Sequence, residues 1–107
     1  MNIKELSENL GLEEDEYSEM LDLFFQSGGA DIVRIEQALK EANTERVHEA
    51  AHSLKGSSGS LSLDNIFDLA SAIDGKSRQG ILEGLDELAL ELRRSYDELV
   101  NAVKRPG

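Results

Sequence analysis

A histidine and a lysine one helical turn apart, with glycines beside them, form the part of this sequence best suited to chemistry. The run AHSLKGSSGSL at positions 51–61 contains His52, Lys55, Gly56 and Gly59. An imidazole is partly neutral at cellular pH, so a free ring nitrogen can act as a nucleophile. A lysine ammonium three residues further along supplies a mobile cation with three donors. Together these groups favour the acceptance of a phosphoryl group on His52.

The helical periodicity of the surrounding segment, residues 44–61, predicts which way His52 faces. Each helical residue turns by about 100° around the axis, so the apolar side chains of the segment fall on one side. That side is formed by Val47, Ala50, Ala51, Leu54 and Leu61, with Ser58 filling a gap in the row. His52 lies roughly 150° from the centre of this group, so it is expected to face water.

Two glycines on the same face as His52 are unusual for the interior of a helix. Gly56 and Gly59 each cost ~1 kcal/mol of helix stability relative to alanine. A helix surface without side chains lets a tetrahedral anion or another protein approach the imidazole closely. We therefore expect a binding surface around His52 that includes Gly56, Gly59, His48 and Ser53.

The rest of the sequence predicts an all-α protein. The single proline is Pro106, so helices can run uninterrupted through the chain. Apolar residues recur at steps of three and four, and no strand-like alternation competes with them. The predicted helices span residues 3–10, 13–27, 30–42, 45–61, 63–75 and 79–103. The segments 13–27 and 30–42 are either separate helices or one helix bent at Gly28 and Gly29. We favour the bent helix, which gives an up-down four-helix bundle with a short additional N-terminal helix.

Capping residues and polar stretches set the expected ends of these helices. Side chains that accept hydrogen bonds from free backbone N–H groups are predicted as N-caps: Asn2, Thr44, and either Ser62 or Asp64. The segment Gly75-Lys76-Ser77 is predicted to be a polar loop. The last helix is predicted to follow it, with Ile81 as the first residue of its apolar stripe.

Composition narrows the range of functions. With 107 residues, 39 % of them hydrophobic, the chain is expected to form one domain, residues 1–107. It has no cysteine, which excludes disulfides and thiolate metal sites. Its 22 acidic and 11 basic residues give a formal net charge of −11, which disfavours nucleic acid and anionic membranes as partners. No stretch has the pattern of a signal peptide or a membrane span, and we expect a cytoplasmic monomer.

The motif at positions 51–61 closely resembles the acceptor signature of histidine-containing phosphotransfer (HPt) domains of two-component phosphorelays. The resemblance covers nearly the whole chain, since such domains are similar in length and consist of a four-helix bundle with extra short helices. It implies that His52 is the phosphorylated residue, that Lys55 is the phosphate partner, and that Gly56 leaves room for an incoming receiver domain. Many members have glycine where this chain has Ser62, a departure that concerns the turn between two helices and not the acceptor.

This resemblance also implies a mechanism. The outer ring nitrogen of His52 would take a phosphoryl group from a receiver-domain aspartate or a kinase, and would pass it to another receiver. The expected partners are response-regulator receiver domains, a hybrid sensor histidine kinase, or both. The chain would be a phosphoryl carrier with a covalent phosphohistidine intermediate and not an enzyme; it contains no Walker-type loop or kinase-like nucleotide motif. No cofactor is expected on it, because the receiver would hold Mg²⁺. Lys55, with Lys76 and Arg78, would provide cations at the docking surface.

Two other interpretations of this surface remain. His48 and His52 lie four residues apart on one face with Glu45 or Glu49 nearby, a spacing that would allow a surface metal site. The spacing fixes no third ligand, and Lys55 adds an unfavourable positive charge, so we expect no metal. The other interpretation is a non-phosphorylated adaptor that binds receiver or kinase domains through the same surface.

Overall fold

Five α-helices account for most of the part of the chain that this computed structural model describes, residues 3–104, and no strand occurs within that part. The helices are α1 (Ile3–Asn9), α2 (Glu14–Lys40), α3 (Thr44–Ser60), α4 (Asp64–Arg78) and α5 (Leu85–Lys104). Helices α2, α3 and α4 each pack on the helix that follows, α5 also packs on α2, and α1 lies against α2. The predicted all-α bundle with an additional N-terminal helix is therefore confirmed. Asn2, predicted as the first N-cap, lies outside the described residues.

The core is formed by the apolar stripes that the periodicity identified. Its fully buried members include Tyr17, Leu21, Ile32, Ile35, Val47, Leu54, Ile73, Leu85 and Leu92. Burying one such aliphatic or aromatic side chain stabilises the fold by about 1.5–3 kcal/mol. With no disulfide to help, this packing is what holds α3 and α4 in their relative positions.

Helix α2 runs without interruption through Gly28 and Gly29, so the segments 13–27 and 30–42 belong to one helix, as the favoured interpretation of the sequence had it. Both glycines make room for neighbouring rings. A Cβ atom at Gly28 would lie 3.1 Å from the Phe24 ring, and one at Gly29 would lie 2.7 Å from the Tyr96 hydroxyl. The glycine pair therefore serves close packing and does not end the helix.

The predicted N-caps of α3 and α4 were each wrong by one residue. Asn43, not Thr44, caps α3, and its side-chain oxygen accepts a hydrogen bond from the Arg46 backbone N–H at 3.1 Å. At α4 the N-cap position is Leu63, which makes no side-chain capping bond. Leu63 is buried in the core, so packing and not capping chemistry selects it. The preceding Ser62 adopts a φ of 58° in the connection.

The predicted boundary between the last two helices was wrong. Residues 75–77, predicted as a polar loop, belong to α4, where Ser77 is buried and its hydroxyl donates to the Ile73 carbonyl at 2.7 Å. Helix α5 begins at Leu85 instead of residue 79, and Ile81 is exposed in the connection. Gly80 and Gly84 have φ values of 72° and 82°, which suit a turn but not a helix.

Candidate functional site

The side chain of His52 projects from the outer face of α3 and is 63 % exposed. The opposite face of the same helix is anchored in the core by Val47, Ala51 and Leu54, which are fully buried. Asn43 caps the start of the helix, so its first turn is held in register. The backbone beneath His52 is thus fixed, while its ring is open to solvent.

Across from His52, helix α4 presents the carboxylate of Asp74. The distance between His52 Nδ1 and Asp74 Oδ2 is 3.7 Å, which is within ion-pair range but longer than a hydrogen bond. The Asp74 side chain is only 5 % exposed, so its charge is poorly screened by water. One ring nitrogen of His52 therefore faces a buried anion.

Two further donors hold the other oxygen of Asp74. Oδ1 is hydrogen-bonded to Nδ1 of His48 and accepts a bond from Arg78 Nε at 3.2 Å. Burial alone would raise the pKa of Asp74, but the hydrogen bonds and charges of His48 and Arg78 outweigh it and hold the pKa below its ordinary value. The carboxylate is therefore ionised at neutral pH.

The sequence interpretation did not single out Asp74, although a signal for it exists. On α4 the buried positions are Ile66, Ala70, Ile73, Asp74 and Ser77. A carboxylate at helical spacing on an otherwise small or apolar face is seldom buried without a partner. That anomaly could have marked Asp74 as part of a site. It could not have shown which residue of α3 lies next to Asp74.

Lys55 lies one turn beyond His52 on α3 and is half-buried. Within residues 3–104 its ammonium group makes no ion pair or hydrogen bond. The other two predicted cations already have partners: Lys76 Nζ donates to the Glu83 carbonyl at 3.3 Å, and Arg78 donates to Asp74, the carboxylate opposite His52. Lys55 is thus the cation of the three whose charge is not committed among these described residues.

The two glycines expected to keep the surface bare differ in their surroundings. A Cβ atom at Gly56 would have no heavy atom within 4 Å, so this position is open. A Cβ atom at Gly59 would lie 3.2 Å from two carbons of the Phe67 ring. Gly56 leaves free space near His52, whereas Gly59 makes room for a side chain of α4.

Ser53 and His48, also predicted for the binding surface, are both tied to other helices. The Ser53 hydroxyl donates to Asp31 Oδ2 of α2 at 2.9 Å, so it is directed away from the His52 ring. His48 is less exposed than His52, at 28 %, and the centroids of the two rings are 6.0 Å apart. Of these two residues, His48 belongs to the network that reaches His52.

The described part of the chain also bears on metal binding and on membrane association. Among residues 3–104, no group of three or more histidine, aspartate or glutamate side chains is arranged to hold a metal ion. In the same part of the chain, no helix combines the length and the apolar character that crossing a membrane would require.

Comparison with known proteins gives one result. The family model described as "Hpt domain" matches residues 19–102, a span that contains α3 and α4 entirely. No curated protein and no solved structure matches the chain.

Proposed function

The chain belongs to the Hpt domain family, and on that premise we propose that His52 accepts a phosphoryl group from a receiver-domain aspartate or a kinase and relays it to another receiver. Hpt domains act generally as phosphocarriers that interact with receiver domains and kinases in phosphorelays. The observation that carries the assignment to His52 is its exposed imidazole, one nitrogen of which lies 3.7 Å from a buried, ionised carboxylate.

This arrangement supports Nε2 of His52 as the nucleophile. Because a carboxylate only accepts hydrogen bonds, Asp74 favours the tautomer that carries hydrogen on Nδ1 and a lone pair on Nε2. The lone pair forms the N–P bond while the P–O bond to the receiver aspartate breaks, and the electrons of that bond leave with the carboxylate. Nδ1 keeps its proton, and the negative charge of Asp74 compensates the positive charge of the phosphorylated ring.

Two neighbours of His52 complete the proposed chemistry. The Lys55 ammonium interacts with the phosphoryl oxygens, and a single charge-assisted hydrogen bond of this kind contributes about 1.5–3 kcal/mol. The open position at Gly56 admits the receiver domain close to the imidazole. No cofactor is assigned to this chain, since the Mg²⁺ ion of the transfer would be held by the acidic pocket of the receiver.

The acceptor is tested by label transfer. The chain is incubated with a panel of receiver domains that carry labelled phosphoryl groups on aspartate, and the label on the chain is followed. We expect acid-labile, base-stable label on the wild type and none on His52→Gln, which keeps a polar side chain of similar size. Binding of the receivers to His52→Gln, measured by calorimetry, is expected to remain.

Two results would count against the proposal. Label on His52→Gln would mean that the acceptor is another residue. Receiver binding without any label on the wild type would favour the alternative function, a non-phosphorylated adaptor.

A further inference from the structure

We propose that His48 is a positioning residue for phosphoryl transfer: by holding one oxygen of Asp74, it directs the other oxygen at His52 Nδ1 and so fixes the reactive tautomer of His52. This inference rests on the proposed function and adds a residue to it. It concerns His48 itself, which the transfer chemistry does not use directly.

The two oxygens of Asp74 have different partners. Oδ1 is bonded to His48 Nδ1 and Arg78 Nε, whereas Oδ2 is bonded to neither and lies 3.7 Å from His52 Nδ1. A carboxylate that is held at one oxygen by two donors loses the freedom to rotate about its terminal bond. The orientation of Oδ2 towards His52 is therefore a consequence of the two hydrogen bonds at Oδ1.

Helical geometry explains why His48 is suited to this role. Residues four apart lie above one another on a helix, so His48 and His52 can both reach over the same residue of α4. Their ring centroids are 6.0 Å apart, and their Nδ1 atoms lie next to different oxygens of Asp74. The two rings thus share one carboxylate without competing for the same oxygen.

The burial of each donor distinguishes His48 from Arg78. The His48 side chain is 28 % exposed, whereas that of Arg78 is 53 % exposed and sits near the end of α4. A long, exposed arginine loses more conformational entropy in holding one geometry than a half-buried ring does. His48 is accordingly the donor that fixes the carboxylate, and Arg78 supports it.

The bond also fixes the tautomer of His48. An ionised carboxylate has no hydrogen to donate, so Nδ1 of His48 must carry the hydrogen of this bond. This requirement can be checked in the wild-type protein, without any substitution. Nitrogen-15 spectra of the histidine rings, recorded at a pH at which both imidazoles are neutral, report which nitrogen of each ring is protonated.

The experiment compares the wild type with His48→Leu and His48→Asn. Leucine fills a similar volume but donates no hydrogen bond, whereas the asparagine side-chain nitrogen can take the place of Nδ1. We expect hydrogen on Nδ1 of both rings in the wild type. In His48→Leu the Nδ1-protonated population of His52 should fall several-fold, and the rate of phosphoryl transfer should fall about tenfold, the lower end of the effect of losing a residue that orients a metal-binding imidazole. His48→Asn should restore both.

Several outcomes would overturn this inference. Wild-type His48 with hydrogen on Nε2 alone could not make the proposed bond, and this result does not depend on whether any variant folds. An unchanged His52 tautomer and an unchanged rate in folded His48→Leu would reduce His48 to a structural contact. A wild type that accepts no label would refute the proposed function. The tautomers are measured in the unphosphorylated protein, so the nitrogen-15 spectra would still decide whether His48 orients Asp74 and His52.

Discussion

The backbone of Gly59 lies directly against the ring of Phe67: a Cβ atom on this glycine would come within 3.2 Å of two ring carbons. Phe67 belongs to α4, so the missing side chain brings α3 and α4 together just beyond the site. The corresponding space at Gly56, one turn earlier, is empty out to 4 Å. The two glycines of the motif therefore differ in role: Gly59 allows α3 to pack against α4, and Gly56 leaves open space on the surface near His52.

Alanine at these two positions should have different consequences for stability. Gly56→Ala gains helix propensity without a clash and should raise the free energy of unfolding by about 1 kcal/mol. Gly59→Ala gains the same propensity but crowds Phe67, so it should be less stable than Gly56→Ala by about 1–2 kcal/mol. Urea denaturation followed by circular dichroism measures both. Equal stabilities would show that the Phe67 ring moves aside at no cost.

Neutralising Lys55 should slow transfer without weakening the fold. Its ammonium group makes no ion pair within residues 3–104, so Lys55→Gln removes little from the native state. We expect transfer to slow about tenfold, the effect of losing ~1.5 kcal/mol from a charge-assisted hydrogen bond to the phosphoryl group. Lys55→Arg, which keeps the charge, is the matched control. A normal rate of transfer in Lys55→Gln would contradict the proposed contact between Lys55 and the phosphoryl group.

The contribution of Asp74 to stability should depend on pH in the acidic range. Its pKa is lowered in the folded protein, so the folded state binds this proton more weakly than the unfolded state does. The stabilisation is therefore complete above the unfolded pKa of about 3.9 and is lost as the pH falls through the lower folded value.

Asp74→Asn provides the test, because asparagine does not titrate. The wild type should be more stable than this variant by about 1–3 kcal/mol at neutral pH, since the variant weakens a buried network. That difference should shrink as the pH falls below the unfolded pKa of about 3.9. Urea denaturation at a series of pH values measures it, and a difference that stays constant or grows would contradict the lowered pKa.

Gly29 should not tolerate a side chain while Tyr96 keeps its hydroxyl. That hydroxyl donates to the Phe25 carbonyl at 2.6 Å, and a Cβ atom at Gly29 would lie 2.7 Å from it. We expect Gly29→Ala to lower the free energy of unfolding by about 1–2 kcal/mol despite its gain in helix propensity. Gly75→Ala, which meets nothing within 4 Å, should instead be stabilising.

A double-mutant cycle separates the clash at Gly29 from other effects. In a Tyr96→Phe background the hydroxyl is absent, so the cost of Gly29→Ala should largely disappear. Thermal denaturation of the four proteins gives the coupling energy. An unchanged cost in the phenylalanine background would place the strain elsewhere in α2.

The residues that were predicted well share one property: their environment is set by their own helix. The apolar stripe of α3 indicated that Val47 and Leu54 are buried, and the same 3.6-residue period indicated the outward direction of His52. The residues predicted badly depend on other helices. Residues 75–77 have a loop-like composition, yet α4 continues through them because Ser77 packs into the core and satisfies its hydroxyl on Ile73.

The sequence by itself determined that the protein is helical, where its apolar faces lie, and that His52 and Lys55 stand one turn apart on a polar face. These properties follow from local geometry, since a helix relates residues only a few positions apart. Only the tertiary structure decided that Asp74 faces His52 and is held by His48, a residue 26 positions away. Which carboxylate of the chain meets the imidazole depends on the rotation and packing of α3 against α4, and no local period specifies that.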